Sequence, residues 1–410
     1  MHGSEKVQSF RVAVSVVEDP DTLRAMGTVI DSIPTPPDFL TLHYGSVHSA
    51  HTLQALATAA FPGTALHGGS SCLGVMSQSG IAVDGGAGLG VLAIWDPAGA
   101  YGSAMERIGA DAGASAQIAL RAALARAGRP SEAPQVVWLT SPPGHEELVL
   151  AGIRDVLGPH ALIVGGSSAD NDVGGAWTQL AQDGAAGDGI SISVLFPSVP
   201  FAQLFENAYA PTEFRGRITE VSGRTVHQID GQPAGAVYAE WTGGAIAVPE
   251  TGAQTILLQS TLLPLGREVG QIGQVPFHLL AHPLALHADG RLELFVDMQT
   301  GQEICLMTGT ADSLVQRAGH IAELAREQLN GSRPSGALVI YCGGCMLSVR
   351  DRLDEVAASL SQALPGTPFL GLFSFGEQGE TVRGTSEHAN LMISCLVFGS
   401  TENSPLPADD

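Results

Sequence analysis

The chain has 410 residues, 44% hydrophobic and 15% charged, and acidic side chains outnumber basic ones 41 to 19 for a formal net charge of −22. That length accommodates two or three domains with substantial cores. The acid excess argues against nucleic acid and anionic membrane surfaces as partners, since both reward Lys/Arg clusters; it reads instead as charge that keeps an alanine- and glycine-rich surface soluble.

In chain order, residues 10–17 predict a strand and 21–30 a short helix. An extended run at 39–44 precedes an apolar-periodic helix over 49–60. After the turn Phe61-Pro62-Gly63-Thr64 comes Gly68-Gly69-Ser70-Ser71, then strands at 80–83 and 89–95, with a glycine-rich loop or hairpin at 85–90. An alanine-rich helix carrying Ile118, Leu120 and Leu124 ends near Gly128. A strand at 135–140, a helix over 146–157, the turn Gly165-Gly166-Ser167-Ser168 and strands at 177–180 and 189–196 follow. Near Phe201 the pattern changes. Residues 219–233 alternate around Gly223 and Gly231 as a β-hairpin, 236–241 form a short helix, and 277–307 hold several strands with Asp289-Gly290 as a turn. A helix over 312–329 opens with an N-cap candidate. A strand at 337–342, a helix over 349–364, a third glycine turn and a strand at 390–398 precede a polar, frayed tail.

Three of these stretches are variations on one unit. Pro62-Gly63-Thr64 with Ser71 falls in register with Pro365-Gly366-Thr367 and Ser374, and Gly165-Gly166-Ser167-Ser168 repeats the first turn. Each unit reads strand, helix, Pro/Gly turn, strand, glycine turn. Near-continuous apolar strands suit sheets covered on both faces, and a helix between strands suits parallel pairing by a right-handed crossover. The fold class expected is α/β, with repeated strand-helix-strand units forming mixed sheets covered by helices in two domains, 1–218 and 219–400, and a disordered tail at 401–410. The glycine turns, at the carboxyl ends of strands, are expected to converge on one composite site.

The start lacks the charged-then-apolar order of a secretion signal, and no apolar run approaches bilayer length, so a cytoplasmic protein without membrane insertion is expected. The five cysteines, Cys72, Cys305, Cys342, Cys345 and Cys395, are expected to be reduced.

The turn Gly165-Gly166-Ser167-Ser168-Ala169-Asp170 followed by Trp177 resembles the signature of FIST domains. The 219–233 hairpin resembles the segment joining the family's N-terminal and C-terminal domains. Tyr341-Cys342, then Gly371-Leu372-Phe373-Ser374-Phe375-Gly376-Glu377 and His388-Ala389-Asn390, is similar to the C-terminal module; where relatives often carry an arginine shortly after the cysteine, this chain has Cys342-Gly343-Gly344-Cys345, with Arg350 further on. The resemblance spans roughly residues 37–398. It implies a sensory module of signal transduction that binds a small ligand such as an amino acid, is not an enzyme, and signals through a separate protein such as a histidine kinase. Some relatives bind haem and report nitric oxide.

The residues themselves support a zwitterion or small anion as ligand. Gly69, Ser70, Ser71, Gly166, Ser167, Ser168 and Ser374 would offer backbone N–H groups and hydroxyls to a carboxylate; tight turns between packed strands are the competing reading. Asp170 and Glu377, beside Gly376, would meet an ammonium. Trp177, Phe373 and Phe375 would wall the pocket, with Cys72 and Cys342 at its edge. Neither glycine-serine turn is a Walker loop, and no G-x-S-x-G elbow is present. Cys342 and Cys345 form a single C-x-x-C, too few for a two-pair zinc site within one chain, which leaves packing, or a redox or metal role. No cofactor is expected. Two alternatives stand beside the sensor reading: haem ligated from the cluster His278, His282 and His287, which in a helix would share a face, and cysteine catalysis by Cys72 or Cys342.

Overall fold

The computed structural model describes residues 9–400; the tail expected at 401–410 lies outside them. The unit read from the turns is larger than its sequence signature. In the first unit it comprises an outer strand Arg11–Glu18, helix Thr22–Ser32, inner strand Phe39–Tyr44, helix Ala50–Ala60, partner strand Ala65–Ser70, hairpin Val75–Ser77 with Gly80–Ala82, and return strand Gly88–Trp95. The second repeats it with Ala100–Arg107, Ala112–Arg126, Val136–Ser141, Glu146–Leu157, Ile163–Ser167, hairpin Gln179–Ala181 with Gly184–Ala186, and Gly189–Phe196. The third uses Phe201–Asn207, Ala311–Glu327, Gly336–Cys342, Leu353–Ala363, Phe369–Ser374, hairpin Glu377–Glu380 with Ser386–Ala389, and Met392–Phe398. The first helix of each unit is capped at an equivalent position, by Asp21, Asp111 and Thr310, whose side chains accept first-turn N–H groups.

In each unit the inner and partner strands pair in parallel across the helical crossover, and the return strand pairs antiparallel with the inner one. The hairpin does not close its own sheet. The first unit's hairpin pairs with Phe369–Ser374 of the third, the second's with Ala65–Ser70 of the first, and the third's with Ile163–Ser167 of the second. The exchange is cyclic, so each six-stranded sheet is completed by another unit.

Packing explains the apolar strands. Phe39, Leu92, Trp138, Leu195, Ile340, Leu372 and Phe398, from all three sheets, share one central core. The opposite faces bury against the units' own helices in three further cores. Both faces are covered, so Phe39–Tyr44, Val136–Ser141 and Gly336–Cys342 are buried at every position.

Residues 208–310 of the third unit replace what are loops of a few residues after Glu18 and Arg107. They carry a nine-stranded antiparallel sheet with its own core around Tyr238, Leu286 and Leu306. The expected hairpin is Ala210–Ser222 with Thr225–Ile229, turned at Gly223 with φ +57°.

Several expectations differ from the structure. Ala100–Arg107 and Phe201–Asn207 are strands without a clear sequence signal; the first contains Gly102, where a Cβ would lie 2.1 Å from the Ala123 carbonyl oxygen of the covering helix. The helix expected at 349–364 starts as a 3-10 turn, Arg350–Arg352, and is α-helical over Leu353–Ala363, and a separate short helix, Gly343–Ser348, precedes it. The histidine cluster is not helical: His278 lies in strand Val275–Ala281 and His287 in Pro283–His287, with His282 between them.

Candidate functional site

The three glycine-serine segments meet, and they meet by bonding to one another. Cys72 donates its N–H to the Phe373 carbonyl at 2.9 Å, Ala169 to Ser70 at 2.9 Å, and Phe375 to Ser167 at 3.1 Å. These are equivalent positions of the three units, so the bonds form a closed ring. Gly69 and Gly166 lie within strands, where glycine serves close approach of the next unit. A Cβ on Gly69 would sit 2.6 Å from Thr140 Cγ2, and one on Gly166 2.7 Å from Ser374 Cβ.

The ring consumes the polar groups that it brings together. The N–H groups of Ser70, Ser71, Ser167 and Ser168 go to the carbonyls of Thr178, Tyr44, Gly376 and Ser141. Ser70 Oγ accepts from Thr178 N, and Ser71 Oγ accepts from Phe373 N. Ser168 Oγ takes the Gln179 amide, Ser167 Oγ donates to Glu146, and Ser374 Oγ donates to Glu377 at 2.6 Å. Gly69, Ser70, Ser71, Cys72, Gly166, Ser167, Ser168, Ser374, Gly376 and Glu377 are all buried.

Glu377 is enclosed, its second oxygen accepting from Met392 N at 3.0 Å. Burial pushes its carboxyl well above the usual range and the neighbouring Cys342 adds to this, so it is held neutral. Burial likewise pushes the Cys342 thiol well up and Cys72 up to about 12. Among the described residues no histidine hydrogen bonds to either thiol.

Open space lies beside the ring. A small cleft, of about 30 Å³, runs between the third turn, the loop after the second turn and the insert. Its walls are apolar: Phe375, Val173, Leu257, Leu258, Phe295 and Leu347. Its polar groups are Cys342, His282 and Asn390. Trp177 buttresses it edge-on against Phe375, with ring centroids 6.5 Å apart, whereas Phe373 packs away from it against Tyr341. His282 is buried and neutral, its pKa brought down to about 4, and its Nε2 bonds the Leu257 carbonyl at 3.0 Å. Asp170 stands at the root of the loop. Its Oδ2 accepts from Gly175 N and Ala176 N, while Oδ1 is buried without a partner.

A second cavity, of about 300 Å³, opens on the insert sheet beside Arg215, Arg217, Glu268 and His278. Arg217 is already paired with Glu303 at 2.7 Å. This cavity contains none of the turn residues, and an apolar cleft with a few convergent polar groups is the better match to a small-molecule site.

Sequence reasoning missed the charges that clamp the insert to the second unit. Arg224, next to the Gly223 turn, donates to Glu146 at 2.7 Å and Glu147 at 2.8 Å. His388 Nδ1 lies 2.8 Å from Glu147. Burial alone would push the Glu146 carboxyl up, but His388 and Arg224 outweigh it and hold it below the usual range. Glu146, Glu147 and His388 could also gather round a cation, but the Arg224 guanidinium already bonds both carboxylates. The pair Glu146-Glu147 at a helix start was the only local signal; Arg224 had none.

Comparison with known proteins agrees with the resemblance. A solved cyanuric acid hydrolase from A. caulinodans aligns over 96% of this chain and 100% of its own at 11% identity, with a TM-score of 0.38. PurL of T. maritima complexed with ATP aligns over 96% of this chain and 72% of its own at 10% identity and a TM-score of 0.21. An uncharacterized protein of Methanocaldococcus jannaschii, MJ1623, is 30% identical over 90 residues, a match covering 22% of this chain and 18% of that protein. The FIST N domain model matches residues 39–232 and the FIST C domain model residues 234–380. With both models matched in order over most of its length, the chain belongs to the FIST family, whose domains are sensory domains of signal transduction proteins.

Proposed function

We propose that this chain binds a small, largely apolar ligand in the cleft beside the third turn and passes the signal to a separate partner protein such as a histidine kinase. The observation that carries the reading is the meeting of three independent segments at one apolar cleft: the third turn with Cys342 and Phe375, the 170–177 loop, and the insert. Ligand that fills it bridges both family modules, which is how occupancy becomes a change of relative position.

An amino acid with an apolar side chain fits this lining best. Its side chain would lie among Leu258, Phe295 and Phe375; Asp170 is buried outside the cleft lining, so its unpartnered Oδ1 would meet the ammonium once the loop has moved. The cleft, at about 30 Å³, is too small for an amino acid, so entry requires the loop to move. Val173 supports such motion: a β-branched residue at φ +60°, it carries backbone strain of order 1–3 kcal/mol that displacement releases. The haem alternative is less well supported. Of the three histidines only His282 lines the cleft, and its Nε2 is committed to Leu257.

Thermal-shift titration against the amino acids tests the reading. Leucine, isoleucine or phenylalanine should stabilise the protein more than glutamate or lysine, and Asp170→Asn should weaken that effect about tenfold in apparent affinity. No stabilisation by any apolar amino acid would refute the ligand class.

A further inference from the structure

We propose that Glu146, His388 and Gln378 form a structural site for a divalent cation, Zn²⁺ by its donor set, which staples the second unit to the third. One ligand atom from each of Glu146, Glu147 and His388 lies within 4.8 Å of the others. Arg224 does not exhaust these carboxylates, because its bonds to them go to the Oε2 atoms. The Oε1 atoms face the imidazole. His388 Nδ1 lies 2.8 Å from Glu147 Oε1, and Nε2 lies 3.9 Å from Glu146 Oε1. Ligands bound at about 2.0–2.2 Å stand no more than about 4 Å apart across one zinc ion, so Nε2 and Oε1 are within its reach.

A second observation points to the same spot. Two buried polar atoms there have no hydrogen-bond partner, His388 Nε2 and Gln378 Oε1. His388 is 2% exposed and Gln378 is wholly buried. They stand opposite each other in the hairpin Glu377–Glu380 with Ser386–Ala389, so their side chains share one face. The Gln378 amide nitrogen lies 3.5 Å from Ser167 Oγ, which donates to Glu146 Oε1 at 2.7 Å. Buried lone pairs are costly to leave unmatched, and one cation satisfies both. Glycine at 376 keeps the approach to the imidazole open, since a Cβ there would lie 2.5 Å from Nε2.

Charge and orientation fit a cation. Three carboxylates, of Glu146, Glu147 and Asp297, surround the single Arg224 guanidinium; three less one leaves a formal excess of two negative charges. Arg267, whose Nη2 donates to the His388 carbonyl, has its own partner in Glu387 at 3.1 Å. An ionised carboxylate only accepts, so the bond to Glu147 puts the proton of a neutral imidazole on Nδ1 and leaves the Nε2 lone pair free. A carboxylate behind a histidine is the usual device for orienting an imidazole ligand. One imidazole nitrogen with carboxylate and amide oxygens suits Zn²⁺ better than the harder Mg²⁺ or Ca²⁺, and water completes the coordination. The ion joins the start of helix Glu146–Leu157 to the third unit's hairpin.

The test strips the full-length chain with EDTA, dialyses it and adds Zn²⁺ alone, read by titration calorimetry and thermal shift. The expected result is one equivalent per chain and a melting temperature raised by about 3 °C at a hundredfold excess over Kd. Glu146→Gln and His388→Gln should weaken uptake by more than about a hundredfold, and Glu147→Gln, which touches only the orienting bond, by about ten- to a hundredfold. Co²⁺ should bind the wild type without a thiolate charge-transfer band in the near ultraviolet, which separates this site from the cysteines and decides even where a variant fails to fold. No uptake by the wild type, uptake unchanged in both Glu146→Gln and His388→Gln, or a thiolate band would overturn the proposal. The apolar cleft takes no part in these readouts, so the ligand reading and the metal reading fail separately.

Discussion

Replacing Arg224 with alanine probes the clamp between the insert and the second unit. The guanidinium bonds Glu146 and Glu147 at 2.7 and 2.8 Å, and the Glu146 side chain is only 1% exposed. Removing one partner of a buried pair costs about 3–5 kcal/mol because the other charge is stranded. Glu146 keeps bonds from Ser167 Oγ and Gly144 N, at 2.7 and 2.9 Å, which places the expected cost at the low end, about 3 kcal/mol. For a fold of this size melting as one unit, that is a fall of about 4 °C. The cost has a pH signature. Both carboxylates are held below the usual range in the fold, after overcoming burial, so their stabilisation is present above the unfolded-state value of about 4.3 and is lost as pH falls through the folded values. The gap between wild type and variant should therefore narrow under acid. Differential scanning calorimetry at neutral and acid pH, with Glu146→Gln and the double variant, closes the cycle; the double variant should recover at least about 1 kcal/mol relative to additivity. A neutral-pH cost under about 0.5 kcal/mol, or strict additivity, would refute the clamp.

Two further outcomes follow from the ring and its neighbours. A fragment ending at residue 232 loses the hairpin strand Glu377–Glu380 that pairs with Ile163–Ser167 and the strand Phe369–Ser374 that Val75–Ser77 joins; it should aggregate or bind hydrophobic dye, and a compact monomer melting cooperatively in chromatography and calorimetry would contradict this. Glu377 is held neutral by burial, so its fold contribution is full below the unfolded carboxylate value and declines as pH rises toward the folded one. Glu377→Gln should therefore melt higher than wild type at alkaline pH and no higher near pH 4, and an equal shift at both would show that titration is not involved.

The inner strands and crossover helices were legible because their patterns are strong over six or more residues: Val136–Ser141 is apolar almost throughout, and Glu146–Leu157 is periodic. Strand Ala100–Arg107 was not, because Gly102, Ser103 and Ala104 are weak strand formers held in place by the return strand and a covering helix. The cyclic exchange of hairpins was invisible for a related reason. Local sequence specifies that Gln179–Ala181 extends, not whose edge it joins. At the site, the sequence marked the segments that converge but not what convergence does. Gly69 and Gly166 stand where another strand passes within van der Waals distance, a demand for glycine that a ligand would also make. The cleft walls Leu257, Leu258 and Phe295 lie in the insert, remote along the chain from every turn.

The most direct measurement is a crystal structure of the chain with the most stabilising apolar amino acid. The account predicts its side chain between Leu258, Phe295 and Phe375, its ammonium at Asp170 Oδ1, and a displaced Val173 loop. Density instead in the insert cavity beside Arg215 and Glu268, with the cleft closed as in the free protein, would contradict it.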